Sequence, residues 1–170
     1  MEKKNIDWSN IGFGYMQTDK RYVSNYKDGA WDEGTLTSDA TITISECAGV
    51  LQYAQTCFEG MKAYTTEDGH IVTFRPDLNA ARMADSAARL EMPVFPEDRF
   101  VDAIKQVVAA NAAYVPPYGS GATLYVRLMI AQYMKNHPNA KVEIKGYASP
   151  EGSKELNQKL SEARANAVKN

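Results

Sequence analysis

Hydrophobic and polar positions change period several times along this chain, and the changes mark its elements. Residues 1–40 are polar and Gly-rich with scattered aromatics, and read as turns between short strands. Residues 41–45, Thr-Ile-Thr-Ile-Ser, alternate with period two and predict a half-buried strand. Residues 49–56 fit either a short helix or an irregular loop. Residues 62–67 and 70–75 are rich in β-branched and aromatic side chains. They flank Asp68-Gly69, a pair that accommodates the positive φ angles of a type I′ turn, so a β-hairpin with Arg75 at one end is predicted. Pro76-Asp77-Leu78 starts a helix with Pro and an acid in its first turn. Leu78, Ala81, Met83, Ala84, Ala87, Ala88 and Leu90 give it a small-residue face, and it stops at Met92-Pro93. Pro96-Glu97-Asp98 opens a second helix, with Phe100, Val101, Ile104, Val107 and Val108 at helical spacing. Residues 116–121 are a loop, and 122–129 an apolar strand carrying Tyr125 and Arg127.

Beyond that strand the texture changes. Residues 130–136 read as the end of a helix stopped before Pro138, and 142–145 alternate as a strand. Ser153 suits a helix N-cap, with Leu156, Leu160, Ala163 and Ala167 on one face of the helix it starts. The charge shifts at the same place: residues 1–130 hold 12 basic and 17 acidic groups, residues 131–170 hold 7 and 4.

At 170 residues, 44% hydrophobic and 24% charged, the chain can bury the core of one domain, with or without an appendage. A net charge of −2 gives no sign of a nucleic-acid or anionic-membrane partner. No run approaches the roughly 18 apolar residues of a membrane span, and the N-terminus does not read as a secretory signal. Cys47 and Cys57 are expected as reduced, buried thiols of a cytoplasmic protein. His70 and His137 are far apart and no Cys/His cluster exists, so no metal site is expected.

The candidate chemistry rests on arginines and aromatics. Arg127, on a strand that reads as buried, needs an anion, because an unpaired buried guanidinium is expensive. An acidic side chain would serve; so would a substrate carboxylate or a cofactor phosphate, gripped by the planar fork of donors. Arg75 carries the same two readings. Tyr53, Phe58, Tyr64 and Tyr125 fit a core more readily than a pocket. No Ser/His/Asp arrangement, phosphate-binding glycine loop or dinucleotide fingerprint is present.

Four segments resemble a known family in its order: Leu51-Gln-Tyr-Ala-Gln-Thr-Cys-Phe-Glu-Gly-Met-Lys-Ala-Tyr64, Ile71-Val-Thr-Phe-Arg-Pro-Asp-Leu-Asn-Ala-Ala-Arg-Met83, Asp85-Ser-Ala-Ala-Arg-Leu-Glu-Met-Pro93 and Leu124-Tyr-Val-Arg127. Through them residues 1–128 resemble the amino-terminal part of a branched-chain amino acid aminotransferase, a fold-type IV pyridoxal-phosphate (PLP) enzyme. The resemblance implies an α+β fold, an antiparallel sheet with two helices, to which the pattern read above adds a helix-strand-helix tail. It makes Arg75 a ligand of the cofactor phosphate, Phe58 a wall of the substrate pocket, and Tyr53 a residue reaching a neighbouring subunit's pocket in a homo-oligomer. Tyr125 and Arg127 match the pair lining the substrate side. The substrates implied are an amino acid (Leu, Ile or Val) and a 2-oxo acid. The family's Schiff-base lysine lies in a second domain, and neither Lys62 nor Lys105 occupies its position. No catalytic residue is therefore assigned, and the 170 residues alone are expected to be inactive.

Residues 129–170 resemble a different family. Asn136-His-Pro-Asn-Ala-Lys-Val-Glu-Ile-Lys-Gly146 and Asn157-Gln-Lys-Leu-Ser-Glu-Ala-Arg-Ala-Asn-Ala-Val-Lys169 are similar to the carboxy-terminal part of an OmpA-like peptidoglycan-binding domain. The family's arginine for the diaminopimelate carboxylate would be Arg164, and Ser149 stands where its aspartate partner is expected. A cell-envelope module and a non-catalytic fusion or scaffold are thus alternative readings.

Overall fold

The computed structural model describes residues 2–12 and 14–131. These lie in the first of the two units into which the chain divides, Met1–Met134 and Lys135–Asn170. The tail strand at 142–145, the helix from Ser153, and Ser149 and Arg164 fall outside the described residues.

The described part is α+β. Its centre is a three-stranded antiparallel sheet in the order β6-β5-β7, with β5 Thr56–Thr65, β6 Ile71–Thr73 and β7 Leu124–Ala131. Helix α2, Pro76–Arg89, packs on β5, and α3, Glu97–Ala110, packs on α2. Before them come two small ribbons, β1 Arg21–Val23 with β4 Thr35–Thr37 and β2 Tyr26–Lys27 with β3 Ala30–Trp31, and a short helix α1, Gly49–Tyr53.

One face of β5 and β7 builds the core. Met61, Ala63, Val126 and Ile130 meet Ala80, Met83 and Ala87 of α2 and Phe100, Ile104 and Val108 of α3. Successive strand side chains point to opposite faces, which is why Met61 and Ala63 of β5 and Val126 and Ile130 of β7 enter this cluster while Lys62, Arg127 and Met129 between them do not. The buried stripe of α2 is Asn79, Ala80, Met83 and Ala87, not the broader face the sequence suggested; Leu78 and Leu90 are exposed. Helix α2 ends in a Schellman motif: the amides of Glu91 and Met92 donate to the carbonyls of Ala88 and Ala87. Its left-handed residue is Glu91, with φ 54°, and Met92 then enters the core ahead of Pro93.

Several local expectations are corrected. Residues 41–45 form no strand: they alternate, but the Asp39 carboxylate turns the chain by accepting from the Thr41 amide and hydroxyl. Ile130 and Ala131 belong to β7, not to a helix, because they pair with Cys57 and Thr56. The hairpin is present, but its loop has three residues. Thr66 donates to the His70 carbonyl and accepts from the Gly69 amide, and of the pair Asp68-Gly69 only Gly69 has positive φ. The two-residue turn with both φ angles positive occurs instead at Asp28-Gly29, between Lys27 and Ala30. Cys47 and Cys57 are free, as expected, but not buried: Cys47 is exposed and Cys57 half-buried beside Met83.

Candidate functional site

The second face of β5 and β7 carries most of the candidate residues. The register pairs Phe58 with Met129, Gly60 with Arg127 and Lys62 with Tyr125. Directly opposed residues of antiparallel strands share a face, so these six residues form one surface. It is the surface opposite the core, and its aromatics stand open: Phe58 is 59% exposed and Tyr125 50%. The expectation that these rings fill the core is corrected, and so is the expectation that Arg127 is buried. The largely apolar strand read at 122–129 suggested burial of Arg127; in fact only alternate residues of the strand are covered.

Arg127 has no carboxylate partner among the described residues. Its guanidinium lies between two rings instead, 4.7 Å from the centroid of Phe58 and 5.5 Å from that of Tyr125. Ring contacts of this kind use no N–H donor as a hydrogen-bond partner, so the guanidinium can still meet a planar acceptor such as a carboxylate.

Arg75 is placed differently. It follows β6 in the left-handed region, φ 44° and ψ 54°, and precedes Pro76 at the start of α2. Its side chain folds onto Asp77: Nε donates at 2.9 and 3.1 Å to the two carboxylate oxygens and Nη2 at 2.6 Å to one of them. The guanidinium holds the Asp77 carboxyl below its usual range. Here the acidic-partner reading is the observed one. A cofactor phosphate would have to displace Asp77, and Pro76 removes one N–H donor from the helix start. The Arg75–Asp77 pair is open to solvent on both sides, so exchange of Asp77 for a phosphate is a small change.

Tyr53 ends α1 with 69% of its surface exposed and is not joined to Phe58, Tyr125 or Arg127. The structure thus brings Phe58, Tyr125 and Arg127 together and leaves Arg75 and Tyr53 apart from them.

Two features escaped sequence reasoning. Gly60 lies under the Tyr125 ring. Glu59, on the helix side of β5, accepts from Arg82 Nε and Nη2 at 3.0 and 2.8 Å and from Asn79 Nδ2 at 2.8 Å. Arg82 lowers the Glu59 carboxyl below its usual range against the opposing effect of burial, with Asn79 adding to it. The pairing clamps α2 to β5 beneath the site. The signal available was Phe58-Glu59-Gly60 itself, an acid and a glycine inside a strand, where both are disfavoured. An apolar groove of about 240 Å³ between β6 and α3, lined by Ile71, Thr73, Val101, Ile104 and Val108 among others, contains none of the candidate residues. Among the described residues no group of acids, His and Cys could hold a metal ion, and no helix is long and apolar enough to cross a membrane.

The chain is 54% identical over 124 residues to a branched-chain-amino-acid aminotransferase of Haemophilus influenzae, a match covering 73% of this chain and 36% of that protein. A branched-chain-amino-acid aminotransferase of Helicobacter pylori is 45% identical over 124 residues, with the same coverage. A methionine aminotransferase of Arabidopsis thaliana is 40% identical over 152 residues, 87% of this chain and 43% of that one. The chain therefore spans little more than a third of the length of the first two. The crystal structure of the Escherichia coli branched-chain amino acid aminotransferase aligns with a TM-score of 0.43 at 18% identity, over 79% of this chain and 54% of that one. Residues 122–170 match the OmpA family, so β7 lies inside that match as well as inside the sheet. Over its amino-terminal region the chain matches the amino-terminal part of the branched-chain amino acid aminotransferases, and over residues 122–170 it matches the OmpA family.

Proposed function

We propose that the open face of β5 and β7 is one wall of a branched-chain aminotransferase site. In it Arg127 meets the carboxylate of an amino acid or 2-oxo acid, and Phe58 and Tyr125 shape the slot around it. The observation that carries this reading is the guanidinium of Arg127, set between two rings with no carboxylate partner among the described residues. An arginine retained only for structure is expected to resemble Arg82, paired with an acid on the helix side.

The relatives imply PLP for the complete enzyme, where Arg75 would serve its phosphate after releasing Asp77. The lysine of this face, Lys62, stands opposite Tyr125 and does not match the family's Schiff-base position. The 170 residues by themselves therefore act as a half-site without transamination. Residues 1–128 form the aminotransferase-like part and 129–170 the OmpA-like part. A cytoplasmic location and a homo-oligomer, with Tyr53 reaching the neighbouring pocket, belong to the same proposal.

Adding PLP to the purified chain tests it: no internal-aldimine absorbance is expected. An aldimine band that disappears when Lys62 or Lys105 is changed would overturn the half-site reading. The OmpA-family match favours a second reading, a peptidoglycan-associated module. Sedimentation with peptidoglycan that depends on Arg164 would favour that one.

A further inference from the structure

We infer that Gly60 is a positioning residue for Arg127, acting through Tyr125; the inference rests on the proposed role of this face. Gly60 lies within β5, and its φ is not among the positive ones, so its backbone does not call for glycine. Space does. A Cβ built on Gly60 would sit 2.1 Å from Tyr125 Oη, 2.7 Å from Cζ and 2.9 Å from Cε2, where no pair of unbonded atoms can stand.

The register explains how the ring comes to be there. Tyr125 is directly opposite Lys62, whereas Gly60 is directly opposite Arg127. The Tyr125 ring therefore leans diagonally across the ribbon, away from its own partner, into the place where a side chain at position 60 would be. Diagonal neighbours on one face are within reach of a long aromatic side chain. Lying there, the ring stands beside Arg127, 5.5 Å from the guanidinium carbon, while Phe58 stands 4.7 Å from it. Without the empty site at Gly60, Tyr125 has to turn away and Arg127 keeps one ring only. The glycine thus fixes the geometry of the arginine without touching it.

The test needs no ligand. In solution NMR the Arg127 side-chain protons of the full chain should be shifted by the ring currents of Phe58 and Tyr125. In Gly60→Ala they should move to the position seen in Tyr125→Ala, with the Phe58 contribution retained. Tyr125→Phe added to Gly60→Ala should not restore them, because the new Cβ also meets Cζ and Cε2. Arg127 shifts that stay at wild-type values in Gly60→Ala, while Tyr125→Ala moves them, would overturn the inference. If Gly60→Ala fails to fold, the Gly60→Ala/Tyr125→Ala pair decides: recovery of the fold supports the collision, and failure in both contradicts it. Intact ring shifts combined with no effect of a 2-oxo acid on Arg127 would sink the half-site reading and leave the role of Gly60 standing.

Discussion

The two faces of the β5–β7 ribbon share a backbone and differ in everything else. On one face Met61, Ala63, Val126 and Ile130 are buried against α2 and α3, and the half-buried Glu59 is held by Arg82 and Asn79. On the other, Phe58, Tyr125 and Arg127 remain open, arranged around a glycine. The buried face explains why the ribbon is stable, because it is where apolar area leaves water. It does not explain the residue choice on the open face, where large apolar side chains gain no burial from the described residues. Contiguous exposed aromatics around an arginine are the mark of a surface made to be covered, by a ligand or by more protein.

Substitutions separate the two faces sharply. Met61→Ala removes a buried side chain from the core and should lower unfolding free energy by about 2–5 kcal/mol, read by chemical denaturation. Phe58→Ala, on the opposite face of the same strand, should change it by no more than about 0.5 kcal/mol, while altering the environment of Arg127. Equal losses from both would erase the distinction between the faces.

Arg82→Ala comes next. It leaves the half-buried Glu59 carboxylate with Asn79 as its remaining partner, so stability should fall, by less than for Met61→Ala because the Arg82 end of the pair is open to solvent. The same contact carries a pH dependence. The folded-state pKa of Glu59 lies below its ordinary value, so its contribution is present above that ordinary value and is lost as pH falls through the folded one. Other lowered carboxyls, Asp32 and Asp77 among them, act in the same direction. Glu59→Gln should therefore flatten the acid limb of stability against pH without abolishing it. An unchanged acid limb would show that the clamp contributes nothing.

The smallest effect expected is a gain. Glu91 holds the left-handed position that ends α2, at about 1–2 kcal/mol for a residue with a Cβ. Glu91→Gly should raise the melting temperature slightly; a fall would mean that the Glu91 side chain makes a contribution larger than the strain.

What the sequence made legible was mostly local. Pro76-Asp77 and Pro96-Glu97 announced both helices, and the hairpin and the apolar strand at Leu124 were readable from composition and turns. The misses share a cause: local pattern does not say what lies alongside. Residues 41–45 have the alternation of a strand but follow a turn made by Asp39, while Ile130 continues β7 because Cys57 is opposite it. Asp-Gly occurs twice, and only the flanking register makes Asp28-Gly29 a two-residue turn and Asp68-Gly69 part of a longer one. Of the candidate site, the resemblance supplied the residues and the register supplied their grouping. Neither could show that Asp77 occupies Arg75, or that Gly60 makes room for Tyr125, since both depend on side-chain positions.

The most direct test of the half-site is a titration of the chain with 2-oxoglutarate, followed at the Arg127 Nε–H signal by NMR. The account predicts a weak, saturable shift that Arg127→Gln removes and that Arg75→Gln leaves in place, because Arg75 is occupied by Asp77 and stands apart. No shift at Arg127, or a response elsewhere in the protein that survives Arg127→Gln, would contradict it.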